Sequence, residues 1–323
     1  MKKLFAFIMV VASIGVVAQT KQTDEWMLFY LGGQSNMVGY GKVDELPEEL
    51  EKGYDNIYIF NGKTVTDGVT GGGTGEWEEL RPGFGEDFAD NGGSERHGAR
   101  FGVELSLGKR LREMFPGKKI ALIKYARGGS KLDTIGGPSD FGIWAPGIYG
   151  SKTPNQTNIF ISTVNNSMQV KDINNDGIED RLIPCGIFWM QGESDAADKQ
   201  MALNYEDNLN TMMCIIRGVF RNMDLPVVIG KISDSGKGRR GNQVWAHGDL
   251  VMYAQEQYVQ KDPNARIIRN TSKYSYSDPY HYDSEGYIDM GIQFANEFYM
   301  LHNKLLTKRR IPEVKFLKNR TNY

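Results

Sequence analysis

Four short segments of this 323-residue chain carry side chains that could perform nucleophilic chemistry. The first is Tyr30-Leu31-Gly32-Gly33-Gln34-Ser35-Asn36-Met37, where an apolar run ends in two glycines and a serine follows at once. A glycine pair permits a tight turn. A serine just beyond it would project from a strand end at the start of the next element, where developing negative charge is favoured. The competing reading of Ser35 is a helix N-cap. The second segment, Ser277-Asp278-Pro279-Tyr280-His281, sets a carboxylate and an imidazole three residues apart, with a proline limiting the loop. A serine hydrolase needs an imidazole to take the hydroxyl proton and a carboxylate to hold its tautomer. Of the four histidines, His97 and His247 lie in other loops and stay open as alternatives, while His302 falls in a helical run. Only His281 has a carboxylate at fixed short range.

The third segment, Phe188-Trp189-Met190-Gln191-Gly192-Glu193-Ser194-Asp195, is another apolar run entering a glycine turn. At its strand end the Gln191 side chain could donate an N–H to an oxyanion. The fourth, Tyr125-Ala126-Arg127-Gly128-Gly129-Ser130, could offer backbone N–H groups of Gly128 or Gly129 to the same oxyanion. Each glycine pair alone is more often a plain strand-to-loop turn; four such strand ends at one sheet edge point to a site.

Elements must bring these segments together. Apolar, turn-bounded runs at 27–32, 57–60, 120–126, 184–190, 227–232 and 266–269 read as strands, and their near-continuous apolarity calls for a sheet covered on both faces. Helical periodicity appears at 101–115, 205–220, 245–260 and 287–306. Alternating strands and helices imply a parallel sheet with right-handed crossovers, so the expectation is one α/β domain with five or six strands. Long insertions at 62–98, 128–158 and 234–247 follow strands and should wall the carboxyl edge of the sheet.

The remaining signals are peripheral. Met1-Lys2-Lys3 followed by an apolar run to Val17 and then Ala18 has the form of a secretory leader, shorter than a spanning helix. The expected layout is therefore a leader at 1–18, one α/β domain at 19–306 and a basic tail at 307–323, with the mature chain exported and lacking a membrane span. With 38 basic against 40 acidic residues there is no charge excess to attract nucleic acid. Cys185 and Cys214 are read as unpaired thiols, with a disulfide as the alternative. Asp172, Asn174, Asp176 and Asp180 resemble the start of a calcium loop, with Gly177 in its sixth place. Ile183 stands where that loop needs its Glu, so the alternative is a polar surface turn. Trp144 and Tyr149 are candidates for stacking on sugar faces, against ordinary packing. Arg239 and Arg240 are candidates for meeting an anionic sugar, against a solvated basic loop.

The Gly-Gln-Ser-Asn-Met block at 33–37, the Trp-Met-Gln-Gly-Glu-Ser-Asp block at 189–195, and Asp278 with His281 resemble the SGNH-hydrolase superfamily. Within it they are most similar to the carbohydrate esterases that include sialate O-acetylesterases and acetylxylan esterases. The resemblance runs from about residue 26 to 291 and implies a flavodoxin-like three-layer α/β/α sandwich. It implies Ser35 as nucleophile, His281 as general base and acid, and Asp278 as its orienter. The oxyanion donors it implies are the Ser35 N–H, an N–H of the Gly128-Gly129 turn, and Gln191. Gln34, Asn36 and Glu193 take supporting places. The usual Gly-x-Asn-Asp block is absent, with the Gln191 segment in its place, and no Gly-x-Ser-x-Gly elbow occurs. The implied substrate is an O-acetylated glycan, with no metal or organic cofactor required and calcium at most structural. The rival functions are a lipase or thioesterase on the same fold, and a non-catalytic glycan-binding protein.

Overall fold

The computed structural model describes residues 23–89, 96–135, 139–144 and 154–310. The leader, Tyr149 and the chain beyond 310 lie outside them. Among the described residues nine strands form: β1 (Asp24–Gly33), β2 (Gly41–Lys42), β3 (Ile57–Asn61), β4 (Trp77–Glu79), β5 (Arg100–Phe101), β6 (Lys119–Ala126), β7 (Asp180–Met190), β8 (Val227–Gly230) and β9 (Ala265–Ile268). The helices are α1 (Ser35–Val38), α2 (Glu104–Met114), α3 (Gln156–Gln169), α4 (Lys199–Val219), α5 (Gly248–Lys261) and α6 (Ser284–Arg310).

Seven strands make one sheet in the order β4-β3-β6-β1-β7-β8-β9, and β2 with β5 makes a small antiparallel pair. The six strands expected from the sequence are all present and mutually parallel; β4 adds an antiparallel edge from within the first insertion. Apart from the β4–β3 edge, the central order is second, first, third, fourth, fifth, the flavodoxin-like arrangement. The order reverses beside β1, so the crevice at the carboxyl ends of β1 and β7 is the place where such sheets bind ligands.

Alternation along β1 explains the two covering layers. Phe29 packs edge-on against Phe298 of α6, while Tyr30 meets Phe160 of α3 on the other face. α6 and α2 share one layer, where Gly291 lets the two helices approach closely: a Cβ there would lie 2.1 Å from Ser106 Oγ. α4 and α5 pack together on the opposite side. Side-chain caps start two helices as expected of Asn and Asp: Asn155 accepts from the Asn158 N–H, and Asp198 from those of Gln200 and Met201.

Candidate active site

β1 delivers the serine through one glycine that no other residue can replace. Gly33 has φ +141, and a Cβ on it would lie 1.9 Å from the Met190 carbonyl oxygen of β7. The backbone therefore leaves the sheet tight against its neighbour, and Ser35 opens α1 at the sheet edge, 6% exposed. Ser35 and His281 line the same cavity, of about 580 Å³, together with Gln34, Tyr40, Arg127 and Gly128. No hydrogen bond joins Ser35 to His281 in this state; such contacts commonly tighten only when substrate is bound.

His281 is held on two sides. Its Nδ1 lies 2.7 Å from Asp278 Oδ2, while Asp278 Oδ1 accepts the N–H groups of Tyr280 and His281 at 2.7 and 2.8 Å. Partial burial works to raise the Asp278 carboxyl, but the hydrogen bond from His281 and the two backbone donors outweigh it and hold the group below its ordinary value. An ionised carboxylate on Nδ1 leaves Nε2 as the nitrogen free to act as base. The second support is Tyr40, whose ring stacks on the imidazole with centroids 3.6 Å apart and planes within 3°. Burial, with Glu86 and Asp278 nearby, pushes the Tyr40 phenol up to about 12, so it stays neutral. Tyr40 carries no local signal in the sequence and meets His281 only through the fold.

The other histidines serve elsewhere. His97 accepts from Arg81 Nε at 3.1 Å, and burial beside Arg81 and Arg96 lowers it to about 4. His247 stands at the N-cap of α5, and His302 packs on Phe115 and Phe298.

Around Ser35 the structure redistributes the expected donors. Gly128 backs directly onto the serine, since a Cβ there would lie 3.5 Å from Ser35 Cβ, whereas Gly129 (φ +69) turns toward Phe141. The N–H groups of Ser35 and Gly128 have no acceptor among the described residues. Gln191 does not reach the cavity. It is fully buried, and its Nε2 donates to Asp195 Oδ2 at 2.6 Å and to Gln34 Oε1 and the Ser130 carbonyl at 3.2 Å, so the expected oxyanion role is corrected. Gln34 lies beside it and lines the cavity. Its Oε1 accepts from Gln191 Nε2 and from the N–H groups of Gly192 and Ser194. Three donors on that oxygen fix the carboxamide's orientation and turn its own N–H₂ away from them, toward the cavity that Gln34 lines. Both glutamines follow glycine-bounded strand ends, and only packing tells which of them presents a free donor.

Asn36 ties the serine turn to the histidine loop. Its Nδ2 donates to Glu193 Oε1 at 2.7 Å and to the Tyr280 carbonyl at 3.2 Å; its Oδ1 accepts from Tyr287 and from the Tyr282 N–H. The bonds therefore flank His281 on either side. Glu193 Oε2 is buried without a partner, and burial pushes that carboxyl up to about 7 against the hydrogen bond from Asn36.

The remaining candidates fall outside the cavity or the described residues. Trp144 is fully buried, donating to Ser130 Oγ and packing edge-on against Trp189, so it belongs to the core and offers no sugar platform. The aromatic side chains on the cavity are Tyr40, Phe141, Trp245 and Tyr280. Arg239 and Arg240 lie in an exposed turn that does not line the cavity; the cation that does is Arg127. The calcium-like segment spends its carboxylates on its own donors. Asp172 accepts from the Asp176 and Gly177 N–H groups, Asn174 donates to Asp176, and Asp180 turns inward to Trp26 Nε1 and the Ile173 N–H. Among the described residues no group of three or more His, Cys, Asp or Glu could hold a metal. Cys185 and Cys214 are both free thiols.

Comparison with known proteins places this arrangement. Three solved structures share the fold at low identity. One is a protein from Arabidopsis thaliana with 18% identity and TM-score 0.60, covering 86% of this chain and 99% of that one. Another is a carbohydrate acetylesterase from Xanthomonas citri with 17% identity and TM-score 0.59, covering 86% of this chain and 57% of that one. The third is NanS, with 15% identity and TM-score 0.56, covering 89% and 99%. No curated protein matches the chain. The family model described as carbohydrate esterase, sialic acid-specific acetylesterase, matches residues 25–300. That span takes in the serine turn, both glycine turns and the histidine loop, and the chain therefore belongs to this family of carbohydrate acetylesterases.

Proposed function

We propose that the chain removes O-acetyl groups from carbohydrates through an acyl-enzyme on Ser35. The observation that carries this reading is the shared cavity: Ser35 and an Asp278-held His281 line one wall, with unpaired donors from Gly128 and Gln34 beside them. His281 takes the Ser35 proton as the hydroxyl oxygen attacks the acetyl carbonyl. The oxyanion is received by the N–H groups of Ser35 and Gly128 and by the Gln34 amide, already oriented before substrate arrives. His281 then protonates the departing sugar hydroxyl, and water, deprotonated by the same imidazole, releases acetate and frees the serine. No group beyond the chain's own residues is called on in this sequence.

Family membership and the aromatic side chains on the cavity support a sugar as the leaving group. The leader-like start supports action outside the cytoplasm. The test is acetate release from a panel of O-acetylated sialic acids and xylo-oligosaccharides. The purified protein releases acetate, and Ser35→Ala lowers kcat by at least about 10³-fold. Undiminished release by Ser35→Ala contradicts the assignment, and preference for long-chain acyl esters over acetyl esters would replace the substrate class.

A further inference from the structure

The ring of Tyr40 lies flat on the general base, in a geometry that pairs of neutral rings avoid. Its centroid stands 3.6 Å from that of His281, with the planes within 3°. The negative faces of two neutral rings repel, so such pairs prefer offset or edge-on contacts with centroids roughly 4.5–7 Å apart. Other ring contacts of the histidine loop follow that preference: Tyr280 meets His281 at 64° and Tyr276 meets Tyr282 at 51°. The backbone on both sides of Tyr40 imposes the flat stack. Gly39 (φ +102) brings the chain so close to its neighbour that a Cβ there would lie 2.3 Å from Gly102 Cα. The Gly39 carbonyl accepts the Glu86 N–H at 3.0 Å, the Tyr40 carbonyl accepts from Arg100 Nη1 at 2.8 Å, and β2 begins at Gly41. Holding His281 in place does not call for such a stack, because Asp278 already binds its Nδ1 and its backbone N–H.

We infer that Tyr40 is a positioning residue whose ring face favours the imidazolium that His281 becomes during the reaction, and so lowers the barrier to each proton transfer. The inference rests on the acetylesterase reading of the same cavity. When Ser35 attacks, its hydroxyl proton moves to His281 Nε2 and the imidazole becomes a cation. A cation over the face of a tyrosine ring is attracted, the more so away from water, and Tyr40 is half-buried. The contact that is poor for the neutral base is therefore favourable for the imidazolium. Only an interaction stronger in the transition state than in the ground state speeds the reaction, and this stack meets that condition. Asp278 stabilises the same cation through Nδ1, and Tyr40 does so from the ring face. Donation of the proton to the departing hydroxyl returns the imidazole to neutrality. Attack of water on the acetyl-serine forms the cation again, so both halves of the cycle draw on the stack and kcat reports it whichever is slower.

The experiment grades the charge on the ring face while keeping the ring's shape. Tyr40 is replaced by Phe and then by phenylalanines carrying one, two or three fluorines, which drain the face in steps. Both kcat and KM are measured on an aryl acetate, beside the melting temperature of each protein. Tyr40→Phe keeps the ring and should lower kcat by less than about 3-fold. Along the fluorinated series kcat should fall step by step, by roughly 3- to 30-fold in all, with KM and melting temperature unchanged. Tyr40→Leu, which has bulk but no ring face, should lose kcat to the same order. A kcat that stays flat along the fluorinated series overturns the inference, as does a Tyr40→Leu effect confined to KM. A loss already complete in Tyr40→Phe also overturns it and assigns the effect to the hydroxyl. A flat series beside turnover that Ser35→Ala abolishes defeats this inference alone. A wild-type protein without such Ser35-dependent turnover defeats the acetylesterase reading and this inference together.

Discussion

At the scale of single residues, the site turns on which side chains keep a donor free. Gln34 and Gln191 have the same chemistry and touch each other, yet one is a buried brace and the other faces the cavity. Gln34→Ala should therefore lower kcat by about 10²–10³-fold with little change in KM, as for loss of one preoriented oxyanion donor. Gln191→Ala should lower the melting temperature as well, because it strips a fully buried hydrogen-bond cluster. Steady-state kinetics paired with thermal unfolding separates the two; a Gln34→Ala protein with wild-type kcat contradicts the donor assignment. The sequence made Ser35, Asp278 and His281 legible, because a glycine turn and an Asp–His spacing of three are local signals. It could not make Tyr40 legible, since the stack on His281 spans most of the chain. The choice between the two glutamines was hidden for the same reason: it depends on where the Gly192 and Ser194 N–H groups point.

At the scale of elements, the ends of β1 and β7 and the histidine loop are joined by one buried network. Asn36 and Glu193 are its centre, and the unpartnered Glu193 oxygen is its weak point. Burial raises Glu193 in the folded state to about 7 from its ordinary 4.5. Between those values the folded protein keeps a proton that the unfolded chain has released. The folded state thus binds more protons, and stability falls as pH rises through that window, then levels above it. The part due to Glu193 is at most roughly 3 kcal/mol. Glu193→Gln cannot titrate, so its stability relative to wild type should climb from pH 4.5 to 7. Denaturant unfolding at a series of pH values measures this, and parallel curves for the two proteins would contradict it. Element boundaries were legible where burial was two-sided: all six parallel strands read as apolar runs. α3 was not, because Gln156–Gln169 is rich in Asn, Gln, Ser and Thr and offers a weak apolar stripe. β4 was not, because three residues at a sheet edge carry no period.

At the scale of the whole molecule, function follows from where the sheet order reverses. β1 stands between β6 and β7, and the serine, Gly128 and the Gln34-holding turn leave the carboxyl ends of these three neighbours. The histidine loop arrives after β9, far along the sheet, and is drawn back by Asn36 and the stack on Tyr40. A buried ion pair lies beneath this edge: Lys124 Nζ binds Glu104 at 2.8 Å and also the Val38 carbonyl at the end of α1. Burial lowers that ammonium and Glu104 opposes the effect, so the pair anchors the serine-bearing turn to the core. The apolar pattern announced the layers and the sheet. It did not announce that the insertions would supply Phe141, Trp245 and Glu86 to one cavity, because those contacts depend on loop paths.

The measurement that bears most directly on the account is the site of covalent capture. The protein is treated with a serine-directed phosphonate, digested, and the modified residue located by mass spectrometry. One adduct on Ser35, formed far more slowly when His281 is replaced by Ala, is the expected result. An adduct on any other serine, or full esterase turnover with Ser35 unmodified, would contradict it.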